Sequence, residues 1–298
     1  MDMETVIRGI PLFHDKDVSC EPLNGGLSNE TYKLTCEGKA YVLRVFGRQA
    51  DYLALTRGSE IELIRAFHRE IHSPAVLYAD PGETFAVLEY IEGRMANGDD
   101  LLDDERSRRI VTRLKEIHQS VDIAAVSARP CSPYQLVERY LSGADRLHVK
   151  RPHGLSPLLT KMEQIAYRRS FDKTHGQRFC HNDYYLFNLI WTLDGADLVV
   201  VDWELSGVGD VFFDLASIPF TNRFTPEQEK QWLHAYFGYY EEEQYAILQD
   251  MKYMNMLREC AWGLLHSGMT HNQVNHDFNY YQHAERVIER LQQGYNAF

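Results

Sequence analysis

Apolar positions follow two different rhythms along this chain of 298 residues. Residues 30–36, ETYKLTC, alternate with period two and predict a strand, and residues 41–47, YVLRVFG, predict its neighbour, with Glu37-Gly38 as the turn between them. Ile61, Ile64, Phe67 and Ile71 then recur at helical spacing, so residues 57–72 predict a helix that Pro74 ends. FAVLEYI at 85–91 reads as another strand, and EGR with the following MANGDD reads as a crossover. Beyond residue 100 the helical rhythm takes over. Ile110, Leu114, Ile117 and His118 form one stripe, and residues 227–241, 245–266 and 277–292 predict three further helices. The one clear β element in this half is a hairpin over 187–202. There NLIW and LVVV flank LDGAD, whose Asp-Gly pair favours a tight turn. The predicted class is α+β, with a small strand-rich lobe over residues 1–91 and a larger helical lobe over 92–298. The cleft between the lobes is the place for a ligand.

The hairpin also gathers chemistry. With its turn centred near Gly195, Asn188 and Asp202 fall opposite each other to within about one residue of register. Asp183 lies just upstream on the loop that feeds the first strand. A carboxylate, an amide and a second carboxylate at one mouth of an apolar hairpin are the parts needed to orient a hydroxyl and hold Mg²⁺ beside a nucleotide. Taken singly, each residue has a bland reading as turn former, local cap or strand end; their convergence argues against that. His181 reads as a buried histidine holding the loop through backbone hydrogen bonds rather than as a metal ligand, and no second histidine cluster supports a metallophosphatase. Asp214, ahead of an apolar run, reads as a helix-start or loop-bracing residue.

Two features of the first lobe bear on the same cleft. Gly25-Gly26-Leu27-Ser28-Asn29 precedes the first predicted strand, and glycines there let backbone N–H groups approach an anion. Arg44 shares a strand face with Val42 and Phe46, so its guanidinium needs an acceptor, for which Glu60 or a phosphate qualifies.

Composition narrows the classes. With 44% hydrophobic and 25% charged residues the chain has the make-up of a soluble globular protein, with no apolar run of about twenty residues. The opening MDMETVIRGIPLF lacks the features of a secretory signal, so membrane insertion is not expected. Five scattered cysteines without a CxxC spacing support neither a zinc site nor a disulfide framework and fit a cytoplasmic location. The 31 basic and 43 acidic side chains give a net charge of −12, which disfavours nucleic acid and mildly favours a cationic partner.

CHNDYYLFN followed by VDWE, GD and FDLAS resembles the HxDxxxxN and DxE…D pattern of the aminoglycoside phosphotransferase and choline kinase superfamily, small-molecule relatives of the protein kinases. GGLSN-ETYKL, YVLR, RGSE and SPAVLYAD resemble that family's N-terminal pieces. LRECAWGLLHSG with DFNYYQHAERVIERL is similar to the C-terminal helices of the choline/ethanolamine kinase branch. The likeness runs from about residue 20 to 291. It implies a protein-kinase-like two-lobed fold and an ATP- and Mg²⁺-dependent kinase for the hydroxyl of a small, cationic alcohol. It further implies Asp183 as the catalytic aspartate and Asn188 and Asp202 as metal ligands. Arg44 would reach the phosphates and pair with Glu60, and Gly26, Ser28 and Asn29 would cover the phosphates. Glu89–Ile91 would offer backbone bonds to adenine. Trp262 would face the acceptor, with Glu204 or the tyrosine pair Tyr184-Tyr185 as helpers. The family's loop usually carries Gly or Pro where this chain has Tyr184-Tyr185-Leu186-Phe187, and Leu265 falls where a second tryptophan can occur. Kinases of thiamine, aminoglycosides or amino sugars, and a non-catalytic nucleotide-binding relative, are the competing readings.

Overall fold

The structure is a computed structural model that describes residues 3–23, 29–47, 51–52, 57–124, 131–170, 177–269 and 278–293. The first lobe is built on five antiparallel strands: β1 (Val18–Leu23), β2 (Glu30–Cys36), β3 (Lys39–Val45), β4 (Val76–Ala79) and β5 (Phe85–Glu89). They lie in the order β1-β2-β3-β5-β4. The β2–β3 turn places Glu37 and Gly38 at φ 52° and 76°, the left-handed pair that a two-residue hairpin requires. Alternation divides the sheet. Leu34, Leu43, Phe85 and Val87 pack under the N-terminal helix α1 (Met3–Arg8) with Val6, Ile7 and Phe13. Val42 and Arg44 therefore project from the other face, toward the second lobe.

Helix α2 (Arg57–Phe67) is shorter than the apolar rhythm suggested. Ile71 and Ser73 donate to the carbonyls of Phe67 and His68, and His72 turns left-handed at φ 56°, because Pro74 keeps the chain before it out of helical geometry. Leu63 and Ile64 of α2 join the core of the second lobe, so this helix couples the two.

The hairpin of the second lobe consists of β8 (Leu189–Thr192) and β9 (Leu198–Val200), with Leu189 opposite Val200 and Trp191 opposite Leu198. It is not alone. Strand β6 (Gly93–Met95) adds to β8, and β7 (Gln177–Cys180) pairs with β10 (Gly207–Asp210). At three and four residues these strands are too short to display an alternation. A Cβ on Gly93 would lie 2.0 Å from the Trp191 carbonyl, so the β6 crossover needs glycine there.

Seven helices complete the lobe among the described residues: α3 (Asp104–Ser120), α4 (Pro133–Arg146), α5 (Leu155–Ser170), α6 (Val211–Thr221), α7 (Pro226–Phe237), α8 (Glu242–Gly268) and α9 (Tyr280–Gln292). The predicted 227–241 helix stops at Phe237, because Gly238 takes a left-handed cap at φ 85°. The predicted 277–292 helix begins at Tyr280 behind an Asn279 cap. α6 is buried at ten of its eleven positions, so it shows no amphipathic stripe to predict it from. Helix α8 runs through the centre of the lobe against α4, α6 and α9. No helix among the described residues is long and apolar enough to cross a membrane.

Candidate active site

The loop between β7 and β8 is fixed before it presents any chemistry. Its residues His181 and Asn182 donate their backbone N–H groups to the two oxygens of Asp214, at 2.7 and 2.6 Å. Asp214 is fully buried at the start of α6 and is held in turn by His118 Nε2 at 3.0 Å. That contact requires Nε2–H, which leaves Nδ1 to accept from the Tyr236 hydroxyl at 2.6 Å. Asp214 is thus a loop brace. Cys180 lies close enough to His118 and Asp214 for the three to suggest a metal cluster. The ligand atoms of the pair are already spent on each other and on backbone N–H groups, and burial holds the Cys180 thiol well above its usual range, so it stays protonated.

The His181 side chain serves the same loop. Its Nε2 bonds the Val201 carbonyl at 3.0 Å, and its Nδ1 accepts from the Asp183 N–H at 3.2 Å. The ring packs edge-on against Trp203 at 4.5 Å. Asn182 adopts φ 62°, a left-handed strain that turns the following residue outward.

Asp183 sits at that outward turn with a fifth of its side chain exposed. Both of its oxygens are oriented. Asn188 Nδ2 donates to Oδ2 at 3.1 Å and to the Asp183 carbonyl at 2.9 Å. Arg258, from α8, donates to Oδ1 at 2.7 Å. With both amide hydrogens spent on Asp183, the carbonyl oxygen of Asn188 accepts nothing among the described residues. Val201 N–H bonds the Asn188 backbone carbonyl at 3.0 Å, which carries the hairpin pairing one residue beyond β8 and β9 and brings Asp202 alongside. Asp202 has φ 68°, the second strained residue of the site, and its side chain is a third exposed. An amide oxygen and a carboxylate are hard donors of the kind Mg²⁺ takes, so the pair fits that ion.

The first lobe closes on Asp202. Arg44, nine-tenths buried, donates to Glu60 at 2.8 Å, to Asp202 at 2.6 Å and to Glu204 at 3.4 Å. Glu60 also accepts the Trp203 N–H at 3.2 Å. Asn29 Nδ2 reaches Glu204 at 3.1 Å while its oxygen takes the Gly47 N–H at 3.0 Å. Three carboxylates therefore surround one guanidinium. Burial and then the charge of Asp202 push Glu204 up to about 8, against the pull of Arg44.

The remaining sequence candidates fall as follows. Gly26 and Ser28 lie outside the described residues. Glu89 ends β5 with its N–H bonded to the Ala75 carbonyl at 2.9 Å, and Ile91 follows in the extended link to β6. Trp262 is half-buried on α8, against His266 at 4.6 Å and Tyr280 at 5.4 Å between ring centres. Tyr184 does not face the cleft. It is fully buried, and its hydroxyl donates to the Ile110 carbonyl of α3 at 2.9 Å. Its neighbour Tyr185 is the one that meets the site, through Arg258 at 2.5 Å. Leu265 is buried toward α4, where a Cβ on Gly143 would lie 2.9 Å from it. Arg258 went unnoticed in the sequence, and His118 was read there only as one position of a helical stripe. A signal for Arg258 exists: Lys252, Asn255 and Arg258 recur every three residues through an otherwise apolar run of α8, and all three are buried.

Residues 19–249 match the phosphotransferase enzyme family. The chain belongs to that family. Among its relatives, probable choline kinase 2 of Arabidopsis thaliana is 23% identical over an alignment covering 90% of this chain and 83% of that protein. A choline/ethanolamine kinase family protein from Mesorhizobium loti superposes with a TM-score of 0.78 at 21% identity, covering 98% of this chain and 93% of that one. Choline kinase LicA from Streptococcus pneumoniae superposes with a TM-score of 0.74 at 20% identity, covering 97% and 99%. A LicA structure in complex with AMP is similar at 0.75. The protein is a phosphotransferase with the two-lobed, protein-kinase-like fold of these relatives.

Proposed function

We propose that this phosphotransferase moves the γ-phosphoryl group of ATP to the hydroxyl of a small alcohol that carries a cationic group, of the choline or ethanolamine type. The observation that carries the reading is the joint placement of Asp183, Asn188 and Asp202: a partly exposed carboxylate hydrogen-bonded to an amide whose oxygen is left over, at the end of a hairpin that also presents a strained carboxylate. Asn188 and Asp202 would hold Mg²⁺, which when bound offsets phosphate charge. Phosphoryl transfer has a loose transition state, so positioning and charge compensation are what remain for the protein to supply. Asp183 orients the acceptor hydroxyl and takes its proton as the new P–O bond forms. Arg44 gives the phosphates a guanidinium that Glu60 keeps aimed into the cleft. The Glu89 carbonyl and the Ile91 N–H serve the adenine edge. On the acceptor side, the half-buried ring of Trp262 offers a face to a cation. The relatives named choline or ethanolamine kinase support this acceptor over thiamine, aminoglycosides or amino sugars. Retention of Arg44, Glu60, Asp183, Asn188 and Asp202 together speaks against a non-catalytic relative.

ADP release with Mg·ATP, measured over choline, ethanolamine, thiamine and an aminoglycoside, tests the acceptor. Choline or ethanolamine is expected to turn over fastest. Asp183→Asn is expected to abolish turnover while leaving the nucleotide titration of the protein unchanged. Equal loss of nucleotide binding and turnover would remove Asp183 from the acceptor side.

A further inference from the structure

Arg258 stands apart from every other charge in the site. It comes from the middle of α8, where Met254, Leu257, Cys260 and Ala261 are all buried, and it is itself nine-tenths buried. One arm of the guanidinium donates to Asp183 Oδ1 at 2.7 Å and the other to the Tyr185 hydroxyl at 2.5 Å. The Tyr185 hydroxyl donates in turn to Asn255 Oδ1 at 3.0 Å, and Asn255 Nδ2 is fixed on the Phe213 carbonyl at 3.0 Å. The cation also lies over the Tyr185 ring at 5.2 Å and near the Phe213 ring at 6.0 Å. Its Nε has no hydrogen-bond partner among the described residues. Burial opposes the charge, and the surrounding Tyr185 and Asp183 outweigh it, so the guanidinium binds its proton more tightly than usual.

For stability alone this arrangement is a poor choice. A methionine or leucine would fill that helical position without desolvating a guanidinium and without an orphaned Nε, and apolar replacements of buried ion pairs are often neutral or stabilising. Asp183 does not need the arginine to escape an unpaired burial either, since it is partly exposed and already bonded by Asn188. What Arg258 adds is geometry. Asn188 controls Oδ2, and without a second contact the carboxylate turns about its Cβ–Cγ bond. The Arg258 fork closes that freedom, and Tyr185, Asn255 and Phe213 hold the fork.

We propose that Arg258 is a positioning residue for the reaction: through Asp183 Oδ1 it locks the carboxylate that receives the acceptor hydroxyl, with Tyr185 and Asn255 as the frame that aims the guanidinium. The proposal rests on Asp183 being the acceptor-side carboxylate. It also gives the unusual Tyr184-Tyr185-Leu186-Phe187 loop a purpose, since Tyr185 is the loop residue that receives the fork.

The test uses the full chain with Mg·ATP and choline, or whichever alcohol of the ADP-release panel turns over fastest. Arg258→Met is expected to lower kcat about 10²-fold, the scale of a reacting group misplaced by roughly 1 Å, with KM for ATP unchanged. Millimolar guanidinium is expected to restore part of the lost kcat in Arg258→Met and none in the Asp183→Asn protein. Tyr185→Phe keeps the ring and removes only the frame's hydroxyl; in protein that is still folded at the assay temperature it is expected to lower kcat about tenfold, alongside the modest fall in melting temperature that a lost buried hydrogen bond brings. Should Arg258→Met fail to fold, the Tyr185→Phe kcat decides alone. A kcat at the wild-type level in Tyr185→Phe overturns the proposal, as does an Arg258→Met whose activity falls only with its folded fraction and does not respond to guanidinium. An active Asp183→Asn protein would instead sink the assignment of Asp183, a separate result from any failure of the clamp.

Discussion

Two arginines meet the two aspartates of this site from opposite sides, and they are built for different tasks. Arg44 rises from the sheet lobe into a ring of three acidic groups: the carboxylates of Glu60 and Asp202, the latter a third exposed, and Glu204, which burial and Asp202 hold largely protonated. Such an arginine has more negative charge than it can neutralise, so its neighbourhood is open to a cation and its contacts are free to rearrange. Arg258 rises from the helical lobe toward a single carboxylate, with its second arm on a tyrosine hydroxyl and aromatic faces around it. Its contacts are neutralised and enclosed. On the proposed function, the nucleotide side of the cleft is arranged around charge that a ligand completes, and the acceptor side around charge that is already complete.

Replacing Arg44 is the largest test of that contrast. Arg44→Met strands a buried Glu60 beside Asp202 without a counter-charge, and breaking a buried pair on one side costs about 3–5 kcal/mol. The expected result is a melting temperature well below wild type, partly recovered by millimolar Mg²⁺, and a KM for ATP that rises while KM for the acceptor does not. If the acceptor constant rose equally, the division into a nucleotide side and an acceptor side would fail.

Sequence reached the nucleotide side more fully than the acceptor side, and the cause is locality. Arg44, Glu60 and Asp202 each sit on a short element with its own signal: a strand rhythm, a helix start and a hairpin. Their meeting follows once those elements pack. The hairpin register was readable to one residue because Asp-Gly fixes the turn. The Arg258 clamp depends instead on Asp183 and a helix 75 residues later in the chain. No local pattern couples the two, and the regular spacing of Lys252, Asn255 and Arg258 shows only that α8 carries polar groups inward. Tyr184 and Tyr185 make the same point from within one loop. As adjacent tyrosines they are indistinguishable in sequence, yet one is bonded to the core at Ile110 and the other to the site. Helix α6 showed no periodicity, only a possible start at Asp214, for a further reason: burial all round erases the contrast between faces on which periodicity depends.

The face of α8 proposed to meet the acceptor carries a titratable group of its own. His266 lies two turns beyond Arg258 on α8, packed on Trp262 and Tyr280, and burial lowers its pKa from the ordinary 6.5 to about 4. The folded state thus binds fewer protons than the unfolded chain between these values. This contribution to stability is complete above pH 6.5 and is lost as the pH falls toward 4, with a ceiling on the order of 3 kcal/mol. His266→Phe is expected to flatten the rise of unfolding free energy between pH 4.5 and 6.5 seen in urea titrations. An unchanged slope would mean that this face is wetter than its packing implies.

The smallest effect is the most selective. Trp262 is one turn past Arg258, about 6 Å along the helix axis and on the same face. On the proposed function, an alcohol whose hydroxyl meets Asp183 would extend its far end toward the indole. Removing the indole face removes cation–π attraction worth about 2 kcal/mol when desolvated, which is roughly thirtyfold in affinity. Trp262→Leu keeps apolar bulk against His266 and Tyr280, so it is expected to raise KM for choline by about that factor, with KM for ATP and kcat at saturating choline held. An uncharged alcohol of the same size is the control: if its KM rose as much as that of choline, the indole would be acting as apolar volume rather than as a face for charge. The acceptor side would then be defined by shape alone.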